Sequence, residues 1–216
     1  MTKKEKASIV VHRLSQHYPT EIICYLNYNK DKPYELLFAT ILSAQCTDDR
    51  VNIVTKALFK KYTCLQHYAR SPLQQLELDI KPTGFYKNKA KSLQLAAIRL
   101  IDHYNEILPS NIEELTTLTG VGRKTANVVR CHIFNIPSVV VDTHVKRITF
   151  RLGLTKNTSP EKIEVDLMKI LPKKSWIAYN HQVIAHGRKV CTARSPKCSQ
   201  CFFSDICHYY KSNYTN

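Results

Sequence analysis

Apolar residues recur along this chain at the three- and four-residue steps of an α-helix. Ala7, Val10, Val11, Leu14 and Tyr18 form one stripe, which Pro19 stops. Ala90, Leu93, Ala97, Leu100, Ile101 and Tyr104 form a second, between Lys87 and Tyr104. Ser159-Pro160-Glu161 supplies a helix start: a cap, a proline suited to the first helical position, and an early acid. Ile163, Leu167, Ile170 and Leu171 then line one face before Pro172. Ser110-Asn111-Ile112-Glu113 has the form of a capping box opening another helix. Only Val139-Val140-Val141, between Pro137 and Asp142, reads as strand-like, and with no evident partner strand it is expected to be a buried connector. The pattern predicts an all-α protein. No repeat or low-complexity linker marks a domain boundary.

At 216 residues the chain can bury the core of one domain or two small ones, and 44% hydrophobic content with five glycines suits a compact protein. Charge sharpens the picture. Lys and Arg number 32 against 17 Asp and Glu, a net charge of +15, which calls for a polyanionic partner. Nucleic acid is favoured over membrane, because no basic amphipathic anchor and no run of membrane-spanning length is present. The apolar run Ile9-Val10-Val11 is too short for a secretory signal, so an intracellular protein is expected. Eight cysteines in a reducing compartment are then not four disulfides.

Two segments carry candidate chemistry. In Leu118-Thr119-Gly120-Val121-Gly122-Arg123-Lys124-Thr125-Ala126, two glycines flank one apolar residue at the expected start of a helix. Uncovered backbone amides and the positive end of the helix dipole suit a phosphate there. Lys124 would then be held beside the nucleic acid, as a charge or as a nucleophile. Near the C-terminus, Cys191, Cys198, Cys201 and Cys207 are separated by six, two and five residues. One close pair with a single cysteine on either side suits a short loop around a cubane iron–sulfur cluster better than two zinc knuckles; zinc and unliganded thiols are the alternatives. Arg188, Lys189, Arg194 and Lys197 could offset the cluster's charge or touch phosphates. Cys24, Cys46, Cys64 and Cys131 lack ligand spacing and are read as core residues.

These segments fall in one order with others: Leu42-Ser43-Ala44-Gln45 with Asp48, Gly84-Phe85-Tyr86 with Lys89-Ala90, Val141-Asp142-Thr143-His144-Val145, and His186-Gly187-Arg188. Together they resemble endonuclease III, the DNA glycosylase and apurinic/apyrimidinic lyase family of the helix-hairpin-helix superfamily. The resemblance spans nearly the whole chain. It implies two helical domains flanking a DNA-binding cleft, residues 24–135 ending in the hairpin, and residues 1–23 with 136–216 carrying a [4Fe-4S] cluster on Cys191, Cys198, Cys201 and Cys207. Lys124 matches the family's nucleophile and Asp142 its essential carboxylate. The resemblance further implies that Gln45 fills the space left by an extruded base and that Phe85 wedges into the stack, in place of a more usual aliphatic residue. Gly120, Val121 and Gly122 would hold the DNA backbone, with Lys87, Lys89, Arg123, His144 and Arg147 as further backbone contacts.

The implied function is removal of damaged, oxidised pyrimidines by a bifunctional glycosylase, which then cuts the strand by β-elimination through a lysine Schiff base. The expected partner is double-stranded DNA bearing damaged bases or abasic sites, met without a membrane by a cytoplasmic, nucleoid-associated monomer. An adenine glycosylase of the same scaffold is the alternative enzyme. Lys124, the lack of a carboxylate in Ala39-Thr40-Ile41 and the chain's end soon after Cys207 count against it. A non-catalytic helix-hairpin-helix module would not need Lys124 together with Asp142.

Overall fold

The computed structural model describes residues 1–21 and 24–214, and among them there is no strand. Twelve α-helices follow in order: α1 (Lys3–His17), α2 (Tyr34–Leu42), α3 (Asp48–Lys61), α4 (Leu65–Arg70), α5 (Leu73–Ile80), α6 (Tyr86–Tyr104), α7 (Ile112–Leu115), α8 (Arg123–His132), α9 (Thr143–Leu152), α10 (Pro160–Ile170), α11 (Trp176–Lys189) and α12 (His208–Tyr214). The chain divides into two compact units, Met1–Ile23 with Pro137–Asn216, and Cys24–Ile136. The first junction anticipated from the sequence falls at residues 22 and 23, outside the described residues; the second lies after Ile136.

In the Cys24–Ile136 unit, seven of the nine residues of α2 are apolar and all nine, Glu35 and Thr40 included, are buried, as befits a helix enclosed by others. It packs on α3, α6 and α8, while α6 lies over α4 and α5. Phe38 meets Tyr68 edge-on at 4.8 Å, and Tyr62 stacks on the same ring at 4.8 Å. Fully burying one such side chain contributes roughly 2 kcal/mol. The helix before the hairpin is only one turn long, and its cap is Asn111, where the sequence pattern predicts Ser110. Asn111 Oδ1 accepts from the amides of Glu113 (2.7 Å) and Glu114 (3.4 Å).

In the other unit, α1 buries Ala7, Val10 and Leu14 of the anticipated stripe. It opens on a capping box: Thr2 Oγ1 accepts from Glu5 N, and Thr2 N donates to Glu5 Oε2. Helix α11 packs against both α1 and α9. The Val139–Val141 segment is a buried extended connector. Its backbone finds a partner in a side chain rather than a strand. Val140 N donates to Asn180 Oδ1 at 3.1 Å, and Asn180 Nδ2 donates to Ser138 O at 3.0 Å, so α11 satisfies polar groups that burial would otherwise strand.

Candidate nucleic-acid interface and metal centre

The hairpin between α7 and α8 uses its two glycines differently. Gly120 has φ +82°, and a Cβ there would lie 2.7 Å from Ser92 Cβ on α6, so only glycine fits. Gly122 has an ordinary φ and nothing within 4 Å of a would-be Cβ. Its bareness leaves the N-terminus of α8 open, and no side chain caps that helix. Val121 departs from the expected DNA contact: its side chain is buried in the core and its amide donates to Leu118 O at 3.1 Å. An apolar residue between the glycines anchors the turn. Arg123 and Lys124 follow, both exposed. The Lys124 amine has no hydrogen-bond or ion-pair partner among the described residues.

Gln45 and Phe85 each sit at a turn just beyond a helix end, with φ +53° and +48°. Left-handed backbone in a residue other than glycine costs roughly 1 kcal/mol or more and persists only where neighbours impose it. Both side chains point outward in spite of this, Phe85 being 63% exposed. Lys87 is exposed at the start of α6. Lys89 is not a surface contact. It is 5% exposed, and its ammonium donates to Leu42 O and Thr83 O, each at 2.8 Å. Burial pushes its pKa below the usual lysine value.

Asp142 caps α9. Its Oδ1 accepts from Val145 N at 2.7 Å, and its second oxygen has no hydrogen-bond partner among the described residues. His144 and Arg147 follow on the helix, both half-buried. Arg147 Nη2 donates to His144 Nδ1 at 3.1 Å, which makes Nδ1 an acceptor. Burial holds the His144 pKa below the ordinary imidazole value, against the pull of Asp142 and with help from Arg147 and Arg188. The expected phosphate contact at Arg147 is replaced by internal bonds. Its Nε and Nη2 donate to Cys191 O, at 3.2 and 3.0 Å, and Nη2 also reaches Gly187 O at 3.2 Å. This close approach of α9 to α11 requires Gly187, where a Cβ would lie 2.5 Å from His144 Nδ1.

Cys191, Cys198, Cys201 and Cys207 line one pocket, walled otherwise by Val190, Pro196, Tyr209, Tyr210 and Arg151 among others. Four thiols around a shared space are soft donors suited to a thiolate-bound iron–sulfur centre. Burial pushes the Cys201 thiol up to about 11, so metal charge is needed to hold it as thiolate at neutral pH. Of the four basic residues anticipated around the ligands, only Lys197 lines the pocket. The closer cation is Arg151, whose Nη1 donates to Cys191 Sγ (3.3 Å) and Thr192 O (2.7 Å). His186 also touches a ligand, with Nε2 3.5 Å from Cys201 Sγ and Nδ1 3.1 Å from Tyr18 Oη. Sequence reasoning assigned neither residue a role. The available signal for the first is that Arg147 and Arg151, four apart, share one face of α9. Of the four cysteines outside the loop, Cys131 is buried as a core residue, while Cys24, Cys46 and Cys64 are half-buried.

An uncapped hairpin helix, two exposed strained loops and a four-thiol pocket have counterparts among known proteins. Residues 38–173 match the family described as HhH-GPD superfamily base excision DNA repair protein, and residues 191–207 match the iron-sulfur binding domain of endonuclease III. The fold and site thus define a helix-hairpin-helix protein of base-excision repair with an iron–sulfur domain. Endonuclease III of Synechocystis sp. is 47% identical over 95% of this chain and 93% of that protein. Endonuclease III of Bacillus subtilis is 45% identical over 81% and 80%. A solved structure of a trapped endonuclease III–DNA covalent intermediate, 42% identical, covers 98% of this chain and 99% of its own with a TM-score of 0.91. The chain belongs to the endonuclease III family. Its activity is that of a base-excision DNA glycosylase with AP lyase activity, and its cofactor is a [4Fe-4S] cluster. No helix among the described residues is long and apolar enough to cross a membrane.

Proposed function

We propose that this protein excises oxidised pyrimidines from double-stranded DNA and cuts the strand 3′ to the abasic site, with Lys124 as nucleophile and Asp142 as the assisting carboxylate. One observation carries the reading: an exposed, unpartnered amine in the first turn of an uncapped helix, directly behind a bare glycine turn. Phosphate on the open end of α8 would hold the sugar at a fixed distance from that amine. The amine attacks C1′ as the N-glycosidic bond breaks, and the base leaves with the bonding pair and takes up a proton. The sugar ring opens to a Schiff base. Loss of a C2′ proton then expels the 3′ phosphate, and water releases the enzyme. Asp142 keeps one oxygen outside its capping bond, available to stabilise positive charge on the sugar and to carry a proton. Because Lys124 is exposed, its desolvation requires bound DNA.

Extrusion of the base precedes this chemistry. Gln45 fills the vacated space and Phe85 enters the stack; both are exposed on conformations that a flexible loop would not select. Cys191, Cys198, Cys201 and Cys207 hold the cluster, which when bound supplies four iron–thiolate bonds that close the loop. The protein works as a monomer on nucleoid DNA in the cytoplasm.

Borohydride reduction of the Schiff base tests the assignment. Wild type is expected to form a covalent adduct with abasic-site duplex, and Lys124→Ala to lose it by at least roughly a hundredfold. Equal trapping by the two proteins would overturn the nucleophile. Duplexes each carrying one lesion define the base spectrum, with purine lesions excised as fast as oxidised pyrimidines contradicting the proposed substrate class.

A further inference from the structure

The last four carbonyls of α2 lack partners within the helix, and each is met by a donor beyond its end. Ala39 O accepts from Ser43 N, Thr40 O from Ser43 Oγ, and Ile41 O from Ala44 N. Leu42 O accepts from the buried Lys89 ammonium, 47 residues further along the chain. The same ammonium reaches Thr83 O, the last carbonyl of a 3₁₀ turn, Lys81–Thr83. The backbone amide of Lys89 donates to Phe85 O at 3.1 Å. No carboxylate pairs with this cation among the described residues. Burying an unpaired ammonium is unfavourable unless carbonyl dipoles face it, and here the ends of α2 and of the 3₁₀ turn supply them.

What those ends have in common is where they lead. Leu42 is three residues before Gln45, and Thr83 is two before Phe85, both exposed residues with left-handed backbone. Each loop is a short turn with one residue in the left-handed region. Tied to one ammonium, they have a fixed separation. We propose that Lys89 is a positioning residue that locks the Gln45 and Phe85 loops into one rigid pair, so that filling the vacated base position and wedging the stack occur as a single coordinated act. This rests on the roles proposed above for Gln45 and Phe85. Both hydrogen bonds of the Lys89 ammonium go to backbone carbonyls, so its proposed action is through the loops.

The informative measurement is a ratio: the single-turnover rate on a duplex lesion divided by the rate of borohydride trapping on a single-stranded abasic oligonucleotide. The second substrate has no stack to open and no partner base to replace. Lys89→Met keeps the apolar stem and removes the ammonium, and Lys89→Gln keeps one donor should the methionine variant not fold. Thermal melts accompany both. Displacing the loops by an ångström or so should lower the ratio about ten- to a hundredfold in Lys89→Met, and less in Lys89→Gln. A wild-type ratio in a folded variant, or equal losses on both substrates, would overturn the inference. Gln45→Ala and Phe85→Ala are run alongside. If they lower the ratio while the Lys89 variants do not, only the coupling fails; if they too leave it unchanged, the probing roles themselves are wrong and the inference falls with them.

Discussion

The two units of this molecule are held together by different means. Cys24–Ile136 is built around a helix buried on all sides, with leucines and interlocked aromatic rings enclosing it. The unit of Met1–Ile23 and Pro137–Asn216 has a smaller apolar cluster and leans on directional polar ties: Asn180 to the connector, Arg147 and Arg151 to the cysteine loop, and Arg13 to Asp205. Apolar burial is non-directional and forgives small changes of shape. Hydrogen bonds to buried backbone are unforgiving when one partner goes. The difference predicts that polar and metal-ligand substitutions damage the second unit far more than the first.

The largest effect should come from the cluster. Cys201→Ala is expected to lose the brown colour and to destabilise its own unit by several kcal/mol. Hydrogen exchange should show α9 and α11 losing protection while α6 keeps it; uniform loss over both units would mean that they do not differ as described. Gly187→Ala forces α9 away from α11 and should destabilise by about 2 kcal/mol, with a fall in kcat because Asp142 rides on the displaced helix. Asn180→Leu leaves Val140 N without an acceptor and should lower stability by about 1–2 kcal/mol, seen as a drop in denaturation midpoint.

Apart from the buried Lys89, polar changes in the other unit should register weakly. Burial raises the Asp79 pKa, but bonds from Lys61, Tyr62 and Gln75 outweigh that and hold its carboxyl below the usual range. A depressed acid contributes stability above its unfolded pKa, and that contribution disappears as pH falls through the folded value. Asp79→Asn should therefore be less stable than wild type at neutral pH, by no more than about 1 kcal/mol after solvent screening, and equal to it in strong acid. Tyr68→Phe should be smallest. The Tyr68 hydroxyl is buried with no partner among the described residues, so its removal should leave the midpoint unchanged or raise it slightly.

The stripes on α1 and α6 were legible because burial on one helical face leaves a local period in the chain. The hairpin and the cysteine loop were legible for a related reason: their chemistry is confined to short segments. Lys89 and Arg147 were misread as DNA contacts because a long cationic side chain looks like surface wherever it stands. What buries them is carbonyl oxygen supplied 47 and 44 residues away, which no local pattern reports. Val121 was misread in the opposite sense, its core role hidden between two glycines of the phosphate-binding turn. Asn180 gave no signal at all, since a side-chain amide standing in for a strand depends on the connector it happens to meet.

Helix α6 carries a consequence for length rather than for composition. Lys89 fixes the Gln45 and Phe85 loops, and Ser92, three residues on, is the surface against which Gly120 closes the hairpin. Those two reference points stand about 4.5 Å apart along the axis. One helix therefore works as a ruler for both the glycine turn and the Gln45 and Phe85 loops. Many side chains along it could change over evolutionary time, but a single insertion or deletion between Lys89 and Ser92 would rotate one reference by about 100° against the other and disable both at once.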